Sequence, residues 1–329
     1  MSMWGENLQK QIIPCRFLLR VCRSSLPSLP SHISVLRIMN PISCYTKGTS
    51  INNRYKVITR IGYGSFATAF KVQDSHDNDK VLVAKVARKS DDVSGKYNME
   101  VAALTKLVGI KHWPQMMNHF ETVSYRVIIM SEEGESLGNV LSRNNNGVFS
   151  NGNSLRVSYC LTKALDSLHH VGYVHRDINR DNITMKQQGK EIVITVIDLG
   201  NGSKSFPRQK CRFNSYPTSW HVMLGKEYCE RDDFVSGLYL IAECLGAPIF
   251  NTKNKSLIDA KREFHNNPSS FFPLEQRWMA KLITIFDSMV FDKKTDLSPI
   301  WNSYATAIPR VSPLSPIEYE KINDVVVVQ

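Results

Sequence analysis

No stretch of the 329 residues approaches the ~18–20 consecutive apolar residues that a membrane-crossing helix needs, so the sequence reads as that of a soluble protein. Paired cysteines are missing too. Cys15, Cys22, Cys44, Cys160, Cys211, Cys229 and Cys244 are scattered and odd in number, and none stands in a Cys-x-x-Cys pair. That disfavours a zinc site and a disulfide framework, and it points to a reducing, intracellular compartment. The chain also lacks internal repeats and any block of Lys/Arg of the kind that binds nucleic acid. Acid is nearly absent from residues 1–50, where Lys10, Arg16, Arg20, Arg23, Arg37 and Lys47 face Glu6 alone. This segment therefore holds almost half of the net charge of +11. The rest is spread along the chain and favours acidic partners only in a general way. The expectation is a cytoplasmic protein, with the nucleus open to it, that binds neither nucleic acid nor membrane.

What is present changes in texture along the chain. Residues 1–50 show no sustained periodicity and contain the turn-rich run Ser24–Ser31. They are read as a basic, disordered N-terminal extension; a mitochondrial presequence is the second reading of the same Arg- and Ser-rich composition. From Tyr55 onward, Tyr55–Arg60, Ala67–Gln73 and Val81–Ala87 are short β-branched runs separated by turns, which predicts antiparallel strands. Tyr97–Val108 has helical spacing, and Arg126–Met130 reads as a buried strand. Downstream, Ser154–His170, Phe234–Leu245 and Trp278–Val290 read as helices, with Ile192–Ile197 a strand between them. A strand-rich first part followed by a larger helical part predicts a two-lobed α+β protein.

Four chemistry-bearing elements follow in a fixed order. The first is Ile61-Gly62-Tyr63-Gly64-Ser65-Phe66-Ala67, where glycines let backbone amides approach phosphate oxygens; Ala67 stands where a third glycine would complete Gly-x-Gly-x-x-Gly. The second is Lys85, about 20 residues on, a point charge suited to phosphates, with Glu100 on the next helix as its partner. The third is His175-Arg176-Asp177-Ile178-Asn179-Arg180-Asp181-Asn182. Phosphoryl transfer to a hydroxyl needs a carboxylate to orient it and take its proton, and a nearby magnesium ligand; Asp177 and Asn182 suit these roles. The fourth is Asp198-Leu199-Gly200 at a strand end, with Asp198 as the second magnesium ligand.

Together these elements resemble a eukaryotic protein kinase of the casein kinase 1 superfamily, close to its tau-tubulin-kinase-like branch. Met99–Leu107, the hinge-like run Ile129–Leu137, His175-Arg176-Asp177-Ile178, Arg231-Asp232-Asp233-Phe234-Val235-Ser236 and Phe291–Asp296 carry the likeness. It extends over roughly residues 55–308. The resemblance implies a kinase domain at 51–310, with an N-lobe near 51–130 and a C-lobe near 135–310, and a C-terminal tail at 311–329. It implies ATP and Mg2+ as ligands, protein substrates and a monomer. It adds Ala69, the gatekeeper Met130, and Glu132 and Glu133 beside the adenine to the nucleotide-binding set. It also implies that the second acid of the Asp232-Asp233 pair anchors the catalytic loop from a buried helix.

Two departures bear on activity. The resembled family places lysine two residues after the catalytic aspartate, whereas this chain has Asn179, which brings no charge to the γ-phosphate. Its Gly-Thr pair before Gly225-Lys226-Glu227 is absent from Phe213–Ser219, and Tyr216 replaces an arginine. Two functions follow: a serine/threonine kinase using Asp177, Asn182 and Asp198, or a pseudokinase that binds ATP and acts as a scaffold.

Overall fold

Alternation of buried and exposed side chains builds the first layer of the molecule. In the computed structural model the described residues are 42, 44–64, 66–77, 80–92, 95–144, 146–211, 215–291, 295–323 and 325–329. Most of the expected extension at 1–50 therefore lies outside them, as does Ser65. Strands β1 (Ser50–Ile51), β2 (Tyr55–Tyr63), β3 (Ala67–Asp74) and β4 (Lys80–Arg88) precede helix α1 (Lys96–Lys106). Strands β5 (Met116–Glu121) and β6 (Tyr125–Ser131) follow it. They form one antiparallel sheet of six strands in the order β1-β2-β3-β4-β6-β5. Successive β6 residues point to opposite faces: Val127 and Ile129 join a small core with Tyr55, Phe70 and Val72, while Ile128 and Met130 join the large one. Two register shifts in β2, between Val57 and Thr59 and between Arg60 and Gly62, bend it as it approaches the glycine turn.

The larger lobe begins with β7 (Glu135–Ser136), α2 (Leu137–Leu141) and α3 (Asn151–His170). Next come β8 (Tyr173–Val174), the hairpin β9 (Ile183–Gln188) and β10 (Glu191–Val196), β11 (Ser203–Lys204) and β12 (Gln209–Lys210). Then follow α4 (Trp220–Met223), β13 (Glu227–Tyr228), α5 (Glu230–Cys244), α6 (Leu257–Asn266), α7 (Arg277–Ser288) and α8 (Ser298–Ala305). The hairpin of β14 (Glu320–Ile322) and β15 (Val325–Val327) closes the described chain. Helix α5 is buried almost all round, as its apolar composition predicts. Residues Leu155, Leu161 and Leu165 of α3 and Leu238, Ile241 and Phe234 of α5 share its core. A curled sheet lobe thus precedes a helical lobe, the two-lobed protein kinase architecture expected from the sequence. No helix among the described residues is long and apolar enough to cross a membrane.

Two stretches read from the sequence as lying outside the fold pack into it. Ile42 is buried in the small core and its amide donates to Thr68 Oγ1 at 3.2 Å. Tyr45 packs against Phe70 and Tyr125, and the Val57 amide donates to Thr49 O at 2.8 Å. At the other end, Ile317 and Val328 are buried in the large core. Arg143 and Asn144 donate to the carbonyls of Val326 and Val328, and Asn153 to that of Glu318. Apolar anchors spaced among polar residues leave no periodic signal, so these attachments escape a sequence reading.

The chain passes between lobes through Ser131–Gly134. Gly134 has φ 86°, and a Cβ there would overlap the Met185 carbonyl and stand 2.9 Å from Lys186 Cβ. Left-handed backbone and close approach both require glycine. Gly134→Ala is therefore expected to destabilise the fold by about 2 kcal/mol, read as a lowered Tm in calorimetry.

Candidate active site

The loop 175–182 leaves β8 and enters β9, and its shape is set by a carboxylate beneath it. Asp233, fully buried near the start of α5, accepts from the His175 amide (2.8 Å) and His169 Nε2 (2.9 Å) through one oxygen. Its other oxygen accepts from the Arg176 amide (2.9 Å) and the Tyr228 hydroxyl (2.7 Å). Burial pushes the Asp233 carboxyl up, but His169, His175 and the Tyr228 hydroxyl outweigh it and hold the group below its ordinary value. Asp233 therefore does what the resemblance implied for the second acid of its pair. His175 adds a second brace. Its Nε2 donates to the Ile197 carbonyl at 3.0 Å and its Nδ1 accepts from the Asp177 amide at 3.2 Å, which ties the loop to the strand leading to Asp198.

Asp177 projects from this frame between two amides. Asn179 Nδ2 donates to its Oδ1 and Asn201 Nδ2 to its Oδ2, both at 3.0 Å. Asn179 Oδ1 accepts from the Asp181 and Asn182 amides, so this side chain is spent on closing the loop. Asn182 Nδ2 donates to the Asp177 carbonyl at 2.9 Å. Asn182 Oδ1 and Asp198 Oδ2 accept no hydrogen bond among the described residues. Two open hard oxygens of this kind fit a magnesium ion, which takes few protein ligands and keeps waters and phosphate oxygens for the rest.

Lys85 joins the two lobes electrostatically. Its Nζ lies 2.6 Å from Glu100 Oε2 on α1 and 2.7 Å from Asp198 Oδ1 beyond β10. Burial disfavours the ammonium, but Asp198 and Glu100 outweigh it, and the pKa is raised. Burial dominates at Glu100 and raises its pKa despite Lys85; at Asp198 Lys85 and the Gly200 amide overcome burial and lower it. Asp198 has φ 66°, which turns its carboxylate toward both donors. Helix α1 is aimed by Asp92, which accepts from the Lys96 and Tyr97 amides at 2.7 and 3.2 Å and is itself held by Arg126 at 2.6 Å.

The remaining expected nucleotide residues lie on β2, β3 and at the end of β6. Ile61, Gly62 and Tyr63 end β2, Ala67 and Ala69 lie on β3, and Ala69 pairs with Lys85 across the ladder. Phe66, at the tip, turns its ring onto Gly200, with Lys85 Nζ at 5.1 Å and Lys96 Nζ at 5.0 Å from its centroid. Met130 is buried at the back of the sheet. The carboxylates of Glu132 and Glu133 are engaged by the protein itself. Glu132 meets Lys71 of β3 at 3.4 Å and Lys186 of β9 at 2.9 Å; Glu133 accepts from Ser131 and from Thr195 at 3.1 Å.

The segment lacking the Gly-Thr pair is only partly described, from Ser215. It is held from below. Lys261 of α6, fully buried, donates to the carbonyls of Ser215 (3.3 Å), Tyr216 (2.8 Å) and Thr218, with its ammonium against the Tyr239 and Phe250 rings. Ser219 donates to Asp232. Burial presses the Lys261 pKa down to about 7. Neither Lys261 nor Asn201 is visible as a site residue in sequence: one resembles a surface lysine, and the other's only signal is its place directly after Asp-Leu-Gly.

The chain matches the protein kinase domain family over residues 55–287 and belongs to it. It is similar to a protein of Caenorhabditis elegans named as a serine/threonine-protein kinase, 29% identical over 212 residues, which are 60% of this chain and 61% of that one. It is also similar to a C. elegans protein named as a casein kinase I, 28% identical over 137 residues, 41% of this chain and 40% of that one. The chain thus spans less than two thirds of the length of either relative. Among solved structures, vaccinia related kinase 3 superposes with a TM-score of 0.67 at 18% identity, covering 84% of this chain and 95% of that one.

Asp233→Ala leaves two buried amides, a histidine and a hydroxyl without their acceptor; a loss on the order of 3 kcal/mol in chemical denaturation is expected. Lys261→Met frees three carbonyls, and faster amide hydrogen exchange confined to residues near 215–219 is the expected readout.

Proposed function

We propose that the chain is an ATP-dependent serine/threonine protein kinase that moves the γ-phosphoryl group of ATP to protein hydroxyls. The observation that carries this reading is the closed Lys85–Glu100–Asp198 ion-pair set, which holds a cation and a magnesium-competent carboxylate at one point beside Asp177. In the proposed reaction Lys85 meets the α- and β-phosphates, and backbone amides of the 61–67 turn cover them. Asn182 and Asp198 would hold magnesium, whose charge offsets that of the β- and γ-phosphates. Asp177 orients the substrate hydroxyl and takes its proton as oxygen bonds to the γ-phosphorus; the bond to the β-bridging oxygen breaks and ADP leaves.

The finer lineage we favour is the casein kinase 1 superfamily, in its tau-tubulin-kinase-like branch. The runs Met99–Leu107 and Arg231–Ser236 support it, as does the 28% identity to a protein named as a casein kinase I. The adenine would lie against Met130 and the backbone of Glu132 and Glu133, since both carboxylates have protein partners. The reading is of a cytoplasmic monomer acting on protein substrates, without nucleic-acid or membrane partners.

A second reading has its own observation. Asn179 is committed to Asp177 and to the loop amides, and it offers no ammonium to the γ-phosphate. A nucleotide-binding scaffold would need none. The deciding experiment uses the full chain, radiolabelled ATP with magnesium, a mixed protein substrate and the chain itself as acceptors. Wild type is expected to transfer phosphate and Asp177→Asn to fall by at least ~10²-fold. If both are equally silent while magnesium and ATP still raise Tm, the scaffold reading replaces the kinase reading.

A further inference from the structure

The loss of a lysine at position 179 leaves the transfer site short of one positive charge. A phosphoryl group in flight spreads negative charge over its oxygens, and a fixed cation there is commonly worth ~10²–10³ in rate. The geometry points to Lys96, the first residue of α1, as the side chain that supplies this charge: its ammonium faces the γ-phosphate position in place of the absent catalytic-loop lysine. The inference rests on the kinase reading for the reaction it serves, and on geometry alone for the charge it places.

Three observations converge. First, Lys96 is one amide away from Asp177. Lys96 Nζ donates to Asn201 Oδ1 at 2.9 Å, and Asn201 Nδ2 donates to Asp177 Oδ2 at 3.0 Å. Asn201 thereby orients the base with one end of its amide and the ammonium with the other.

Second, the ammonium has no carboxylate partner among the described residues. The two acids nearest to it along the chain are each four residues away: Asp92 is committed to Arg126 and to the α1 amides, and Glu100 to Lys85. Asp198 meets Lys85 through Oδ1 and makes no ion pair with Lys96 among the described residues. An ammonium with no paired acid and an aromatic face at 5.0 Å is available to an incoming anion.

Third, Lys85 and Lys96 flank the same object. Both Nζ atoms lie about 5 Å from the Phe66 centroid, and that ring rests on Gly200, where a Cβ would stand 2.7 Å from it. Phosphates drawn to Lys85 would meet this ring and, with it moved aside, a second ammonium placed about 5 Å from the same centroid. The position is also controlled by the same element as the Lys85 partner, since Lys96 and Glu100 are separated by one turn of α1. A swing of α1 withdraws both charges together.

The test uses the full chain with Lys96→Met, Lys96→Arg, and Lys96→Met combined with Asn179→Lys. Affinities for ATP and ADP, each with magnesium, are measured by calorimetry, and kcat by phosphate transfer. A cation at the γ-phosphate distinguishes the two nucleotides, so Lys96→Met is expected to lower the preference for ATP over ADP by about tenfold while ADP binding stays put. It is expected to lower kcat by about 10²-fold, with Lys96→Arg retaining most of both and Asn179→Lys restoring kcat in the Met variant. A helix-bracing role would instead weaken ATP and ADP equally and resist rescue, which overturns the assignment. An unchanged nucleotide preference overturns it as well. If wild type transfers no phosphate yet the preference collapses in Lys96→Met, the kinase reading fails and the placement of the charge stands.

Discussion

The loop that carries Asp177 depends for its shape on one buried carboxylate, Asp233. It is removed from water and so is costly to charge, yet it collects four donors, two of them amides of the loop that carries Asp177. The loop has almost no regular structure of its own. A buried helix supplies the rigidity, and the carboxylate transmits it. His175 passes the constraint to the strand before Asp198, so the candidate base and the candidate metal ligand share one frame. The neighbour Asp232 performs a parallel task for Ser219, and Lys261 secures the segment just before it. The candidate loop positions are therefore fixed by three buried ionisable side chains inside the helical lobe rather than by the loops themselves.

The smaller lobe is coupled to this frame by charge more than by shape. Lys85 bridges a carboxylate of α1 and a carboxylate of the other lobe, and each ion pair compensates the burial of the next. Such a set is cooperative: α1 must be in place for Lys85 to be in place, and Lys85 for Asp198. The same helix start carries Lys96. Its orientation is set upstream by Asp92, which ties the α1 amides to Arg126 of the sheet.

Much of this was legible in the sequence where the chemistry is local. The run His175–Asn182 holds its candidate base and open amide oxygen within eight residues, and spacing alone pairs Lys85 with Glu100, an ion pair that a strand and a helix in succession bring together. Periodicity over 55–60, 67–73 and 81–87 marks β2, β3 and β4, and over 154–170, 234–245 and 278–290 it marks α3, α5 and α7, whose observed ends differ by up to four residues. What escaped has partners far away in sequence. Lys261 looks like any lysine of a polar helix until its three carbonyls, some 45 residues upstream, close over it. Strand β5, Met116–Glu121, carries Asn118 and His119, poor strand formers, and exists because β6 pairs with it. Glu132 was assigned to the adenine from its place in the hinge, and only the fold reveals its two lysine partners.

That last residue has a mechanical meaning. Glu132 reaches Lys71 on the sheet lobe and Lys186 on the helical lobe, at the point where the chain crosses from one to the other. A rotation that parts Lys71 from Lys186 lengthens at least one of these pairs, whereas a twist about the carboxylate leaves both nearly intact. The three side chains act as a ball joint with a preferred axis. Since all three remain in contact with water, dissolved ions weaken that preference. The resistance of this crossing point to being parted is therefore a property that ionic strength can tune without touching a residue of the candidate site.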